Sequence, residues 1–178
     1  MKTKYPTIIS ILFIIVLLIL SSSCGPSEPL QFVTYTSKTE GFSIDYPDSW
    51  NAGDSKEPQV KVAIWEKEFG LNPIGMRVAK YAAPGYNMES FAEFQINALP
   101  DITKDYISFS TEKLTISGIP AIKHTYTHTV GPTTYKSVKA YLVENGTGWI
   151  LGFDSPQKSF DSYKSIFETS LNSFRLFK

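Results

Sequence analysis

Apolar and polar residues alternate along much of the chain after residue 32, and this two-residue period constrains the fold more than any other feature. A period of two places successive side chains on opposite faces of a β-strand. The alternation is clearest first over residues 42–46, ahead of a Pro-Asp-Ser turn before Trp50. It then predicts strands over residues 60–65, 76–81, 106–116, 119–130 and 133–144.

The strongest single turn signal is Asn145-Gly146. It lies between two alternating apolar runs, residues 140–144 and 147–153. Asn-Gly favours a two-residue hairpin turn because both positions need positive φ angles. The sequence therefore predicts that these two runs pair as an antiparallel hairpin.

Two helices are predicted beside the strands. The first covers about residues 88–99, capped by Asn87, with an apolar stripe and Pro100 just after it. The stripe consists of Phe91, Phe94, Ala98 and Leu99. The second is a long C-terminal helix opened by Ser155-Pro156. Its apolar face consists of Phe160, Tyr163, Ile166, Phe167, Leu171 and Phe174.

Runs of strands with two separated helices predict an α+β fold, in which the helices pack on a twisted antiparallel sheet. The length of 178 residues suits one domain of ordinary size. The aromatic residues of the two helices are needed to cover the sheet, so they are interpreted as core and not as a cofactor site.

The first 24 residues form a separate unit. Lys2 and Lys4 precede an apolar run over residues 8–20, which would span roughly 20 Å as a helix against about 30 Å of bilayer hydrocarbon. That length is typical of a signal peptide, here residues 1–23. Cys24 is the only cysteine, so it has no internal disulfide partner. Its position after a small-residue triplet predicts that it carries the lipid (palmitate-type acyl chains) of a lipoprotein.

Ser21 stands three residues before Cys24, where lipoprotein signals usually have an aliphatic residue. A plain cleaved signal and an uncleaved anchor therefore remain alternatives. All three interpretations place the domain outside the cytoplasm, and the lipoprotein interpretation places it on the outer face of the cell membrane. Residues 24–31 are interpreted as the lipidated cysteine and its tether, and residues 32–178 as the domain.

The charge balance argues against nucleic acid as a partner. The whole chain has 17 basic and 17 acidic residues, and Lys2 and Lys4 are removed with the signal, leaving 15 against 17, or about −2. Nucleic-acid binding domains carry a basic surface, and this composition predicts none.

Four segments, in order, resemble the PsbP family. They are the run Gly-Phe-Ser-Ile-Asp-Tyr-Pro-Asp-Ser-Trp at 41–50, Ile-Ser-Gly-Ile-Pro-Ala at 116–121, Tyr-Leu-Val-Glu-Asn-Gly at 141–146, and Phe160 with Tyr163 ahead of Ser173-Phe174. The resemblance covers residues 41–176 and implies an α/β/α sandwich around an antiparallel sheet of about six strands. PsbP itself is an extrinsic photosystem II subunit that helps to retain calcium and chloride. That role depends on an N-terminal extension which this chain lacks, and many family members are lipoproteins without it.

No catalytic motif was found in the sequence. It contains no Gly-x-Ser-x-Gly elbow and no glycine-rich phosphate loop. His124 and His128 are the only histidines, and an i,i+4 pair could share a metal on a helix. Threonines and flanking prolines instead predict a strand here, which separates the two Cα atoms by roughly 13 Å. A structural role is therefore favoured over a metal site or catalysis, and no metal-ligating residue is assigned.

Three acidic residues and one sequon were considered as further sites. Asp45 alternates with apolar neighbours and is expected to be solvated or to cap a turn. Asp101 and Asp105 could touch a cation, although the dense acidic run of a calcium loop is missing. Asn145-Gly146-Thr147 fits the glycosylation sequon, but its place in a hairpin turn already explains the Asn-Gly pair.

The sequence thus predicts a non-catalytic accessory domain, held at the membrane by its lipid anchor and docking on a membrane protein. No cofactor is expected, and calcium would follow only from the family resemblance, as would a place in the oxygen-evolving complex. A small-ligand carrier is the alternative binding function, and it would need a cavity between sheet and helix. An enzyme would need polar groups that converge in a pocket.

Overall fold

The computed structural model describes residues 30–66 and 73–177. The predicted signal peptide, Cys24 and most of the predicted tether lie outside these described residues. Residues from Gln31 onward belong to one compact unit.

The described residues form ten strands. They are β1 (Phe32–Ser37), β2 (Phe42–Pro47), β3 (Trp50–Gly53), β4 (Val60–Glu66), β5 (Gly75–Ala82), β6 (Lys104–Ile116), β7 (Ile119–Val130), β8 (Thr133–Glu144), β9 (Thr147–Pro156) and β10 (Arg175–Leu176). Seven of them make the main antiparallel sheet, in the order β3-β4-β5-β9-β8-β7-β6. The remaining three make a small sheet in the order β1-β2-β10.

The predicted Asn-Gly hairpin is present between β8 and β9. Glu144 pairs with Thr147, and Asn145 and Gly146 have φ angles of 51° and 71°. Both values lie in the left-handed region that a two-residue hairpin turn requires. The turn therefore fixes the register between β8 and β9.

Three helices lie within the described residues. They are α1 (Met88–Asn97), the single turn α2 (Leu99–Ile102) and α3 (Phe160–Ser173), with a 3₁₀ turn at Gln157–Ser159 before α3. Asn87 caps α1 as predicted: its side chain accepts from the backbone of Ser90, and the Ser90 hydroxyl accepts from the Asn87 backbone.

Details of both predicted helices were wrong. Phe91 and Leu99 of the predicted stripe are buried, but Phe94 is 59% exposed, and Ala92 is the second buried residue of α1. Pro100 does not follow a single long helix but lies in the first turn of α2, where its missing N–H costs nothing. Ser155-Pro156 ends β9 and does not open the last helix, because both residues still pair with β8.

The two faces of the main sheet carry separate cores. On the α1 face, Phe91 and Ala92 pack on Ile122, Tyr141 and Ile150. On the α3 face, helix α3 and the small sheet pack on the central strands. The buried aromatic and aliphatic residues there include Phe42, Trp50, Val78, Leu142, Trp149, Phe153, Phe160, Phe167 and Leu171. The predicted α+β sandwich with two main helices is confirmed, with seven strands in the main sheet where the resemblance implied about six.

The chain path explains the two layers. After β5 the chain crosses the α1 face through α1 and α2 and enters the sheet again at its far edge as β6. Three successive antiparallel connections then bring β9 back beside β5. Strand β6 is consequently an edge strand, and β3 is the opposite edge.

Candidate functional site

His124 and His128 lie on strand β7, as predicted, and on the same face as Tyr126. His124 is 1% exposed, and both of its ring nitrogens have hydroxyl partners. The Tyr106 hydroxyl lies 2.8 Å from Nε2 and the Thr111 hydroxyl lies 2.9 Å from Nδ1. Burial lowers the pKa of His124, which favours the neutral ring.

His128 belongs to a row of polar side chains on the α1 face. Its Nε2 lies 3.0 Å from the hydroxyl oxygen of Ser137 and 3.9 Å from Oδ1 of Asp154. The Ser137 hydroxyl donates to the same Asp154 oxygen at 2.5 Å. The sheet register creates this row, since Tyr126 pairs with Ser137 and Ser137 pairs with Asp154. We call Tyr126, His128, Ser137 and Asp154 the polar row.

Asp154 is ionised within the polar row. Burial opposes its charge, but His128, Ser137, Arg77 and Lys139 together outweigh burial and hold the Asp154 pKa below its ordinary value. For Tyr126, burial raises the pKa far above its ordinary value. The hydrogen-bonded carboxylate thus lies beside a neutral phenol, while the Asp154 side chain is still 26% exposed.

A Ser, a His and an Asp in contact invite comparison with a catalytic triad. In a triad the histidine lies between the other two, so that it can take the serine proton. Here Ser137 lies in the middle, and its proton is directed at Asp154 and not at His128. Ser137 is also fully buried. The polar row is therefore arranged to link three strands and not to activate Ser137 as a nucleophile.

Lys139 lies next to the polar row. It pairs with His124 on one side and with Gly152 on the other, and its ammonium lies 5.6 Å from the centre of the Tyr126 ring. Burial lowers the Lys139 pKa. Lys139 thus supplies a nearby positive charge for Asp154 and places its ammonium over the Tyr126 ring.

A groove lies on the α3 face, between α3 and strands β6 to β8. It has a volume of about 240 Å³. It is lined by Phe109, Ser110, Glu112, Lys123, Thr125, Lys136, Val138, Phe160, Asp161, Lys164, Phe167 and Glu168. We call the apolar lining side chains the floor and the charged ones the rim, which comprises three acidic and three basic side chains. The Lys136 ammonium is placed over two of the rings, 4.6 Å from the centre of Phe160 and 5.9 Å from that of Phe109.

Exposed apolar side chains concentrate near the same edge of the sheet. Of nine large hydrophobic residues exposed within the described residues, four lie on or next to β6. They are Ile102 (73% exposed), Ile107 (58%), Phe109 (57%) and Val130 (56%), and we call them the β6-edge surface. Val130 belongs with them because Thr129, its neighbour, pairs with Lys104 of β6.

The other candidate residues from the sequence belong to neither the polar row nor the groove. Asp45 accepts a hydrogen bond from Thr34 at 2.6 Å, while Asp101 and Asp105 are exposed in α2 and at the start of β6. Within residues 30–66 and 73–177, no three His, Cys, Asp or Glu side chains are grouped to hold a metal ion. Cys24 falls outside those ranges.

Sequence reasoning missed the groove and the polar row. The one signal for the row was the presence of Ser137 and Asp154 at positions where the alternation would place apolar residues. That signal could not show that Ser137 and Asp154 are neighbours, because their pairing depends on the register between β8 and β9.

Comparison with known proteins reveals likeness in structure only. No family model and no curated protein matches the chain. Cyanobacterial PsbP (CyanoP) from Synechocystis is similar to it with a TM-score of 0.63 and 18% identity, covering 89% of this chain and 99% of CyanoP. LpqN of Mycobacterium tuberculosis, a protein involved in cell envelope biogenesis, has a TM-score of 0.62 and 10% identity, covering 84% of this chain and 92% of LpqN.

A protein of unknown function from Pseudomonas aeruginosa shares the architecture as well, with a TM-score of 0.58 and 10% identity over 80% of this chain and 95% of that one. At these identities the likeness establishes the fold and nothing finer. The PsbP-like fold that the four sequence segments implied is therefore confirmed.

Proposed function

We propose that this protein is an accessory domain, anchored by lipid at Cys24 on the outer face of the cell membrane, that docks on a membrane protein through the β6-edge surface. The observation that carries the proposal is the concentration of exposed apolar side chains at that edge. Exposed apolar side chains gathered at one edge of a sheet are costly in water and mark interaction sites. The domain acts by contact and not by turnover.

The place where the chain enters the domain supports this choice of surface. The backbone N–H of Asp48 donates to the carbonyl of Gln31, and β3 begins two residues after Asp48. The domain is thus entered at the β3 edge of the sheet. The β6 edge is six strand spacings away, or about 29 Å at about 4.8 Å each. A tether attached at Cys24 would leave the β6-edge surface free to meet the part of a partner that projects from the membrane.

The β6 backbone favours contact through side chains over the addition of a partner strand. Its pairing with β7 is irregular at two places, between Lys104 and Ile107 and between Ser108 and Ser110. Such irregularities disturb the outward row of N–H and C=O groups that an added strand would need. Ile107 and Phe109 are therefore the expected contacts.

The described residues favour docking over ligand carriage. Ligand pockets usually have volumes of about 300–1,000 Å³ and bury most of the ligand. The groove is smaller, at about 240 Å³, and has a charged rim. An open groove beside exposed apolar side chains suits a partner surface better than an enclosed small molecule.

The test is cross-linking of the native lipoprotein in its own membrane, followed by identification of what it captures. We expect one integral-membrane protein, whose capture falls at least about tenfold, equivalent to about 1.4 kcal/mol, in Ile107→Ser and Phe109→Ser. The matched control is Phe94→Ser, because Phe94 is as exposed as Phe109 but lies on α1.

Equal loss in all three variants, or capture unaffected by the two β6 variants, would contradict the proposed surface. Turnover of a small substrate by the purified protein, abolished by a single polar substitution, would contradict action by contact.

A further inference from the structure

The groove already holds one cationic side chain, that of Lys136, and its position indicates what the groove can bind. Lys136 projects from β8 over the faces of Phe160 and Phe109. The face of an aromatic ring carries negative charge density, so it attracts an ammonium or guanidinium group and repels a carboxylate. The floor therefore selects cations over anions.

Of the three carboxylates at the rim, one remains available to pair with a bound cation. Lys123 pairs with Glu112 at 3.2 Å, and Lys164 pairs with Glu168 at 3.8 Å. Asp161 also lines the groove and forms no ion pair within the described residues. A cation on the floor would thus have ring faces below it and a free carboxylate at the rim.

We propose that the groove binds a cationic side chain, an arginine or lysine of the docking partner, which exchanges with Lys136 over the Phe160 ring. The inference rests on the proposed docking function, since Phe109 belongs both to the groove and to the β6-edge surface. In the free protein Lys136 occupies the aromatic floor. In the complex the partner's cation takes that place and pairs with Asp161, while Lys136 moves to solvent.

The test uses the full chain in neutral detergent, with its lysines reductively dimethylated with ¹³C, a change that keeps their charge. The probe is N-acetyl-arginine amide, with N-acetyl-alanine amide and N-acetyl-aspartate as neutral and anionic comparisons. The ring currents of Phe160 and Phe109 shift the methyl signal of Lys136 upfield. We expect the arginine probe to move that signal toward the position of exposed Lys56, and the other two probes to leave it in place.

Two variants test the exchange itself. Lys136→Met removes the competing charge but keeps an unbranched stem, so the arginine probe should bind about threefold tighter. Asp161→Asn should weaken it by about threefold, in line with cation–π and ion-pair energies at exposed sites. Lys56→Met and Asp101→Asn are matched controls on exposed residues away from the groove, and neither should change the binding.

A Lys136 signal that does not respond to the arginine probe, or that responds to the aspartate probe instead, overturns the inference. So does unchanged binding in both groove variants. The titration requires no partner. If the titration fails but cross-linking succeeds, only the proposed cation site is contradicted. If the cross-linking fails, the proposed docking function is contradicted.

Discussion

His124 is held in a place where only its neutral form fits well. It is buried, its two ring nitrogens are bonded to hydroxyl groups, and nearby Lys139 further disfavours a positive charge. Its folded-state pKa therefore lies below the ordinary value of about 6.5 that it regains on unfolding. Below that pH the unfolded chain binds a proton that the folded chain resists.

The first prediction follows from the direction of this pKa shift. The stability contributed by neutral His124 is complete above about pH 6.5 and is lost as the pH falls, with a slope of at most about 1.4 kcal/mol per pH unit. Urea unfolding at pH 7.5 and pH 5.5 should show a lower unfolding free energy at the acid pH. His124→Gln should flatten that difference because glutamine does not titrate.

His128→Gln is the matched control, since it removes the other histidine and leaves His124 in place. It should keep most of the pH dependence. A pH dependence that disappears in His128→Gln and persists in His124→Gln would contradict the assignment.

Gly148 permits close packing of α1 on the sheet. A Cβ atom at this position would lie within 2.9 Å of three atoms of the Phe91 ring. We predict that Gly148→Ala lowers the unfolding free energy by about 1–3 kcal/mol, because the buried ring must shift. Chemical denaturation would measure the change.

Gly152→Ala is the comparison for Gly148, on the same strand. A Cβ atom there would meet Cγ of Lys139 at 3.9 Å, an ordinary contact, so the change in unfolding free energy should stay below about 1 kcal/mol. Combining Gly148→Ala with Phe91→Leu should cost less than the sum of the two single changes, because the smaller side chain relieves the overlap. Additive costs would mean that Phe91 is not the obstacle.

Among the elements, helix α1 depends on its first turn. Its capping box joins Asn87 and Ser90 in both directions, satisfying two backbone N–H groups. Asn87→Ala should lower the unfolding free energy by about 1 kcal/mol. Asn97→Ala, at the exposed end of the same helix, should change it by less than about 0.5 kcal/mol. Equal effects in the two variants would argue against the cap as the cause.

Local signals predicted the elements whose causes are local. Asn145-Gly146 specified its hairpin, and Asn87 marked the start of α1, because each acts on the neighbouring backbone. The strand assignment for His124 and His128 also held, since threonines surround them. These predictions needed no knowledge of distant residues.

Features that depend on contacts between distant residues could not be predicted from the sequence. Phe94 fits an apolar stripe but is exposed, since the face of α1 that contacts the sheet is set by Phe91 above Gly148. The pairing of β10 with β2 joins residues more than 130 positions apart. The polar row and the groove arise from strand register and helix placement, so composition and periodicity could not locate them.

At the scale of the whole molecule, the two edges of the main sheet differ in what lies beside them. The chain enters beside β3, while β6 carries the exposed apolar side chains. Among the described residues no helix is both long and apolar enough to cross a membrane. The proposed attachment is through Cys24, which lies six residues before the first described residue.

The last prediction tests attachment and docking together. Cys24→Ala should release the protein from the membrane fraction or leave an unprocessed precursor, and intact mass should show the loss of the acyl chains. Ser23→Ala is the matched control, because it keeps a small residue before Cys24 and should leave acylation unchanged. Attachment unchanged in Cys24→Ala, with an intact N-terminus, would support an uncleaved anchor instead.

Release should also weaken partner capture without altering the docking surface. A short tether holds the domain at an effective concentration of about millimolar near its partner, so modest affinity suffices while the lipid is present. Without the lipid, capture should be lost at the native protein level and recovered when purified Cys24→Ala protein is added at high concentration. The double variant Cys24→Ala with Phe109→Ser should show no such recovery. That result would separate the two roles, because the lipid would supply proximity and the β6 edge would supply contact. Full capture by the unlipidated protein at its native level would contradict the role given to the tether.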